Sequence, residues 1–315
     1  MHLICGEALF DLFGEDSSDT SIAFDGRIGG SPFNVAMGLA RLEEDVAFFG
    51  GISNDQFGQK LVQKLTSEGV SDHCIVRTDH LTTLSIVQKD TAGSPAYTFY
   101  GENAADRMVS ENDLPNLSAA PAFIHIGSYT ALVEPIASAL KTLITQEKEH
   151  TLISFDPNIR PTVEPDMDLW RHNTKALVPH CDVIKVSDED LQLICPEEPI
   201  EEVAKRWLHN GASLVIVTKG SEGASAFTSR FQVHCPGVNV KVEDTVGAGD
   251  TFQAALLAGL HWLKISNQTA LKALDESVLI RLLRLAIKAA AITCSRRGAD
   301  LPRRVDLANE WSALK

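Results

Sequence analysis

Short, largely apolar runs recur along this chain, at 46–52, 122–127, 151–155, 182–186 and 214–218, with helix-like stretches between them. No other feature constrains the fold as strongly. Parallel strands need crossover connections, and a run that is apolar at most successive positions must be covered on both faces. The alternation therefore predicts an α/β fold: a Rossmann-like three-layer sandwich with a mainly parallel sheet. Phe33, Met37 and Ala40 share one helical face, as do Phe57, Leu61 and Leu65. The last third reads as helical, with its longest candidate at 277–295. At 315 residues and 44% hydrophobic content, one large unit with a core of its own is expected over 1–315. Two segments break the alternation. Residues 73–101 read as strands only, with Asp90-Thr91-Ala92-Gly93 as a hairpin turn, and 11–27 is also strand-and-turn-like. Together they predict a small β lid outside the main sheet.

The formal net charge of −14 repels nucleic acid and anionic lipid at long range, so neither is an expected partner. It leaves room for a small anion in a locally positive pocket. The six cysteines, at 5, 74, 181, 195, 235 and 294, form no C-x-x-C pair, which argues against a cysteine metal site and for reduced core thiols. The opening apolar run is short and carries Glu7 and Asp11, unlike a signal peptide, and no apolar stretch approaches about twenty residues. A cytoplasmic protein is expected. There is no G-x-x-x-x-G-K-[ST], no helix-opening G-x-G-x-x-G and no H-E-x-x-H.

The strongest local signal is Asp244-Thr245-Val246-Gly247-Ala248-Gly249-Asp250-Thr251-Phe252, followed by helical periodicity over 252–263. Amides at a helix start lack intrahelical acceptors and sit at the positive end of the macrodipole, which makes an anion site. Asp250 sets a carboxylate beside it, the pairing that hydroxyl phosphorylation needs. Alone, the segment suits a flexible loop with an Asp at a helix start equally well. In Gly29-Gly30-Ser31-Pro32-Phe33-Asn34, Ser31 suits a helix cap, Pro32 a first helical position, and Asn34 offers a donor and an acceptor to a polyol. Asp11, in an apolar stretch, needs partners such as sugar hydroxyls, or else faces water at a strand end. Asp156-Pro157-Asn158-Ile159-Arg160 follows a strand, where ligands bind in open α/β sheets, and Arg160 suits a phosphate or a structural ion pair. Thr218-Lys219-Gly220-Ser221-Glu222-Gly223 follows another strand and suits a nucleotide loop or an ordinary glycine turn.

Gly29-Gly30 with Asn34 near the start, and the Asp244–Phe252 segment in the same order and separation, resemble the two signatures of the ribokinase-like (PfkB) family over essentially the whole chain. The resemblance implies a β lid that closes over the sugar, and transfer of the ATP γ-phosphate to a hydroxymethyl group. It implies Asp250 as base, with Gly247, Ala248 and Gly249 as anion hole. It assigns Asp11, Gly29, Gly30 and Asn34 to the sugar, and Thr218, Gly220 and Gly223, with Lys185 and Ser187, to the nucleotide. Asp244 and Val246 match positions that hold a monovalent cation, usually K⁺. In the stretch that often reads N-x-x-E near Mg²⁺, Ser187 and Asp190 stand in for Asn and Glu. Mg²⁺ dependence is expected, with Asp190 or Glu189 as the carboxylate. A non-catalytic relative would have lost the base or the glycine turn, and both are intact.

Within the family, Gly6-Glu7-Ala8-Leu9-Phe10-Asp11, 99–107 and 185–189 look most like bacterial fructokinases, which implies fructose as acceptor. The 2-keto-3-deoxygluconate kinases share several of these features, and ribokinase and nucleoside kinases are the further alternatives. Asp106-Arg107 follows the lid, so Arg107 joins Asn158 and Arg160 as an expected sugar contact. The exposed edges of a lid need cover, and family resemblance suggests a homodimer through it.

Overall fold

The computed structural model describes residues 1–18, 20–89 and 95–314. The expected hairpin turn at 90–93 lies outside them. Among the described residues, thirteen strands form two sheets. They are β1 (His2–Cys5), β2 (Leu9–Ser18), β3 (Ser21–Gly29), β4 (Val46–Ser53), β5 (Ile75–Thr78), β6 (Leu84–Lys89) and β7 (Pro95–Tyr100). After these come β8 (Phe123–Gly127), β9 (Leu152–Asp156), β10 (Val183–Ser187), β11 (Leu214–Thr218), β12 (Ala224–Phe227) and β13 (Gln232–Cys235).

The main sheet runs β13-β12-β11-β10-β9-β8-β1-β4-β5. It is parallel from β11 to β5, and β12 and β13 close one side antiparallel. Strand periodicity divides its side chains between two cores. Ile4, Val46 and Phe48 pack with the helices Ser31–Arg41, Ala248–Trp262 and Glu276–Cys294. Leu3, Cys5, Ala47 and Phe49 pack on the opposite face, with Ile136, Leu140, Trp170 and Trp207. Both faces are thus buried, which is why the strands read as near-continuous apolar runs rather than alternating ones.

The second sheet, β3-β2-β6-β7, stands outside the main one. The sequence reading of 73–101 needs one correction here: Ile75–Thr78 is not in this sheet but pairs parallel with β4 at the edge of the main sheet. Its short, half-buried pattern gives no sign of which sheet it joins.

The order of connections reverses at β1. The chain moves outward through β4 and β5, then returns and builds β8 to β13 on the other side. In open α/β sheets ligands bind outside the carboxyl ends of the strands at such a switch point. Here it lies between β1 and β8, under the small sheet. All six cysteines are free. No helix among the described residues is long and apolar enough to cross a membrane.

Candidate active site

A cavity of about 480 Å³ opens above the switch point. The loop after β1 contributes Glu7, and the small sheet contributes Asp11, Phe13, Ser85 and Phe99. Ser31 and Asn34 come from the helix Ser31–Arg41, Asn158 and Arg160 from the loop after β9, and Gly249 and Asp250 from the start of Ala248–Trp262. A second cavity of about 360 Å³ is lined by Thr218, Gly220 and Gly223, by the apolar Val238, Val242 and Phe252, and by Ala248 and Gly249. Thr245 and Gly249 line both cavities. The two spaces therefore meet at the glycine turn.

That turn is built by backbone geometry. Gly247 sits at φ 77°, ψ 2°, in the left-handed region, and caps the helix. A Cβ there would also stand 2.8 Å from Ala299 Cβ. The amides of Gly249 and Asp250 open the first turn, where the helix supplies no carbonyl for them. The helix is anchored from below: Gln253 Nε2 donates to Ser154 Oγ at 2.6 Å, and the Thr251 and Thr293 hydroxyls bond at 2.8 Å.

Asp250 is held at both oxygens. Ser31 Oγ donates to Oδ1 at 2.7 Å and Asn34 Nδ2 donates to Oδ2 at 2.8 Å. Burial pushes its pKa up, and the two hydrogen bonds and the nearby Lys185 charge oppose that. The outcome is a carboxylate more basic than usual, which suits a proton acceptor. Ser31 does not cap its helix as expected. The helix begins at Ser31 itself, with Gly30 at the N-cap, and this frees the hydroxyl for Asp250.

Gly29 and Gly30 serve close approach. A Cβ on Gly29 would stand 2.3 Å from Asp11 Oδ2, and one on Gly30 would stand 2.7 Å from the Glu7 carbonyl oxygen. Burial raises the Asp11 pKa, and the Arg160 charge opposes this. Among the described residues, Asn158 Nδ2 has no hydrogen-bond partner, and Arg160 Nη1 bonds only its neighbour's carbonyl at 2.9 Å.

Other expected site residues lie elsewhere. Arg107 lines neither cavity; its guanidinium packs over the Tyr129 ring at 5.3 Å. Lys185 is buried below the turn, paired with Asp156 Oδ2 at 2.5 Å, and a Cβ on Gly249 would stand 3.2 Å from its Nζ. Ser187 caps the helix Asp188–Ile194 by accepting from the Asp190 amide. Glu189 is exposed in a separate groove with Leu191 and Pro199. Asp190 is buried, and its Oδ1 accepts from the Ile159 amide at 3.1 Å. Asp156 Oδ1 is buried with no partner among the described residues. Asp244 ties the loop to the 298 turn, accepting from the amides of Val246 (3.1 Å) and Gly298 (2.9 Å). Glu7, Tyr129 and Lys185 were the residues whose placement the sequence hid. The signal available for Glu7 was the one used for Asp11, a charge inside an apolar run.

The chain is similar to known proteins along most of its length. A family model described as "pfkB family carbohydrate kinase" matches residues 3–305. The fructokinase of Rhizobium leguminosarum bv. trifolii is 37% identical over 279 residues, covering 89% of this chain and 85% of that protein. Among solved structures, the fructokinase of Xylella fastidiosa with bound ATP superposes with a TM-score of 0.89 at 26% identity, covering 98% of this chain and 97% of that one. A Vibrio cholerae O395 fructokinase in its fructose-, ADP- and calcium-bound form gives a TM-score of 0.81 at 30% identity, over 100% and 98%.

Proposed function

This chain belongs to the pfkB family of carbohydrate kinases, and from that premise we propose that it phosphorylates fructose at a terminal hydroxymethyl group, using ATP. One observation carries the reading. The doubly hydrogen-bonded Asp250 stands at the helix start where a polar cavity and a groove with apolar walls meet. A sugar in the first cavity brings its hydroxyl to Asp250, and ATP in the second brings its γ-phosphate to the free amides of the turn. Asp250 accepts the hydroxyl proton as the oxygen attacks the γ-phosphorus. The bond from phosphorus to the bridging oxygen breaks, releasing ADP and the sugar phosphate. The helix-start amides stabilise the charge that gathers on the phosphoryl oxygens.

The sugar cavity suits a neutral polyol. Asp11 offers acceptors, Asn34 and Asn158 offer amides, and Leu9, Phe13 and Phe99 give apolar contact to the ring. Buried Asp190 and the unpartnered Asp156 oxygen fit a hydrated Mg²⁺, which would neutralise phosphate charge when bound; exposed Glu189 does not fit. Asp244 and the Val246 backbone are our assignment for K⁺. The small sheet is the lid. Its edge strand β3 exposes Ile22 and Phe24, which supports a homodimer through it. We assign the protein to the cytoplasm, where ATP is available. An ATP-consumption assay over fructose, ribose, 2-keto-3-deoxygluconate and nucleosides tests the substrate. Fructose should give the highest kcat/KM; a value about tenfold higher for another acceptor would overturn the choice of sugar.

A further inference from the structure

Glu7 is a buried carboxyl that the mechanism above does not use. It is 1% exposed and follows β1 at the switch point. Its Oε1 accepts from the backbone amide of Ser31 at 3.1 Å, and its Oε2 accepts from Thr130 Oγ1 at 3.0 Å. The helix Ser31–Arg41 has no side-chain cap of its own: Gly30 occupies the N-cap and Pro32 has no amide hydrogen. Glu7 supplies the missing cap from a different segment of the chain. The helix start it fixes carries both groups that hold Asp250, Ser31 at Oδ1 and Asn34 at Oδ2.

We propose that Glu7 is a positioning residue for phosphoryl transfer, capping this helix and thereby setting, through Ser31, the orientation of the Asp250 carboxylate. The proposal rests on Asp250 acting as the base.

The groups facing Glu7 come from three elements. The turn after β8 presents Ser128, Tyr129 and Thr130; the segment after β7 presents Asp106, with Arg107 next to it; the helix start presents Ser31, with Asp250 beyond it. Burial pushes the Glu7 pKa up to about 7, and the Asp106 charge adds to this against hydrogen bonds from Ser128 and Thr130. Thr130 Oγ1 also lies 3.0 Å from the Gly127 carbonyl oxygen and can donate there, so a protonated Glu7 can donate to Thr130 and keep its other oxygen for the Ser31 amide: the cap holds in either state.

The test measures kcat, both KM values and the pH profile for wild type, Glu7→Leu, Glu7→Gln, Ser31→Ala, the Glu7→Leu/Ser31→Ala double variant and Asp250→Asn. A small misplacement of a reacting group costs up to about 100-fold. Glu7→Leu and Ser31→Ala should each lower kcat about 10- to 100-fold, with both KM values within about threefold. Glu7→Gln keeps an oxygen for the Ser31 amide and can donate to Thr130, so it should restore kcat to within about threefold of wild type. Because both residues act on one path, the double variant should be no slower than the slower single variant. Glu7→Leu with near wild-type kcat, a raised sugar KM at unchanged kcat, no rescue by Glu7→Gln, or multiplicative losses in the double variant would each overturn the proposal. Should Glu7→Leu fail to fold, Ser31→Ala decides, and unchanged kcat there overturns the path through Ser31. If Asp250→Asn stays active, the assignment of the base fails on its own account. If Asp250→Asn is inactive while Glu7→Leu is normal, only the positioning role fails.

Discussion

Replacing Lys185 by Met would leave a buried charge without its partner directly beneath the glycine turn. The Lys185 and Asp156 side chains are 5% and 3% exposed, and their charged atoms meet at 2.5 Å. Breaking such a pair from one side costs about 3–5 kcal/mol, because the remaining ion stays desolvated. Unfolding entropy of about 2.1 cal/mol/K per residue gives about 0.66 kcal/mol/K for a chain of this length. The melting temperature should therefore fall by about 5–8 °C. The loss should depend on pH in a defined direction. Burial and the Asp156 charge already raise the pKa of nearby Asp190 while the Lys185 charge holds it down, so removing the lysine raises Asp190 further. An acid whose folded pKa is raised binds more protons in the folded state, so stability falls as pH rises from its unfolded pKa to its folded one. The variant should be closer to wild type at pH 5 than at pH 8. Calorimetry at both pH values checks this. A melting temperature within about 1 °C of wild type at pH 8 would refute the argument from the buried pair.

Two further predictions separate the polar cavity from the connection leading into β6. Gly29→Ala puts a Cβ at 2.3 Å from Asp11 Oδ2 and must turn that carboxylate away, so the sugar KM should rise about tenfold or more while the ATP KM stays put; initial-rate kinetics decide it. Asp55 caps the helix Gln56–Ser67 through the Gly58 amide (2.7 Å) and accepts from the Thr82 amide (2.9 Å) and hydroxyl (2.8 Å) at the approach to β6. Asp55→Ala should lose about 1–2 kcal/mol in urea unfolding at pH 7. Hydrogen bonds from Gly58 and Thr82 hold the Asp55 pKa down against burial, so this contribution is present above about pH 4 and fades as pH falls through the depressed value.

The main sheet was legible because burial on both faces leaves a near-continuous apolar run, as at Phe48 and Phe49, which face opposite cores. The glycine turn was legible because one segment, 244–252, contains both the helix-start amides and the carboxylate. Contacts between distant segments were not. Ser31 and Asp250 are 219 positions apart, and nothing near either tells that the hydroxyl serves the carboxylate rather than its own helix. The family resemblance assigns Lys185 to the nucleotide, and only the packing of β9 against β10 shows it buried on Asp156. Arg107 has a similar history. Its neighbour Asp106 is buried and bonded to Thr83 and Tyr129, which leaves the guanidinium over the Tyr129 ring instead of in the cavity.

The central claim is that Asp250 takes the proton from the accepting hydroxyl, and Asp250→Asn tests it most directly. The amide keeps the size of the carboxylate. Its oxygen can accept from Asn34, and its nitrogen can face Ser31, whose hydroxyl is able to accept. The melting temperature and ATP affinity should therefore stay close to wild type, the latter because the turn amides remain. The proton acceptor is gone, so kcat for the best sugar should fall by about 10²–10⁴. A folded variant that keeps more than about a tenth of wild-type kcat would contradict the assignment.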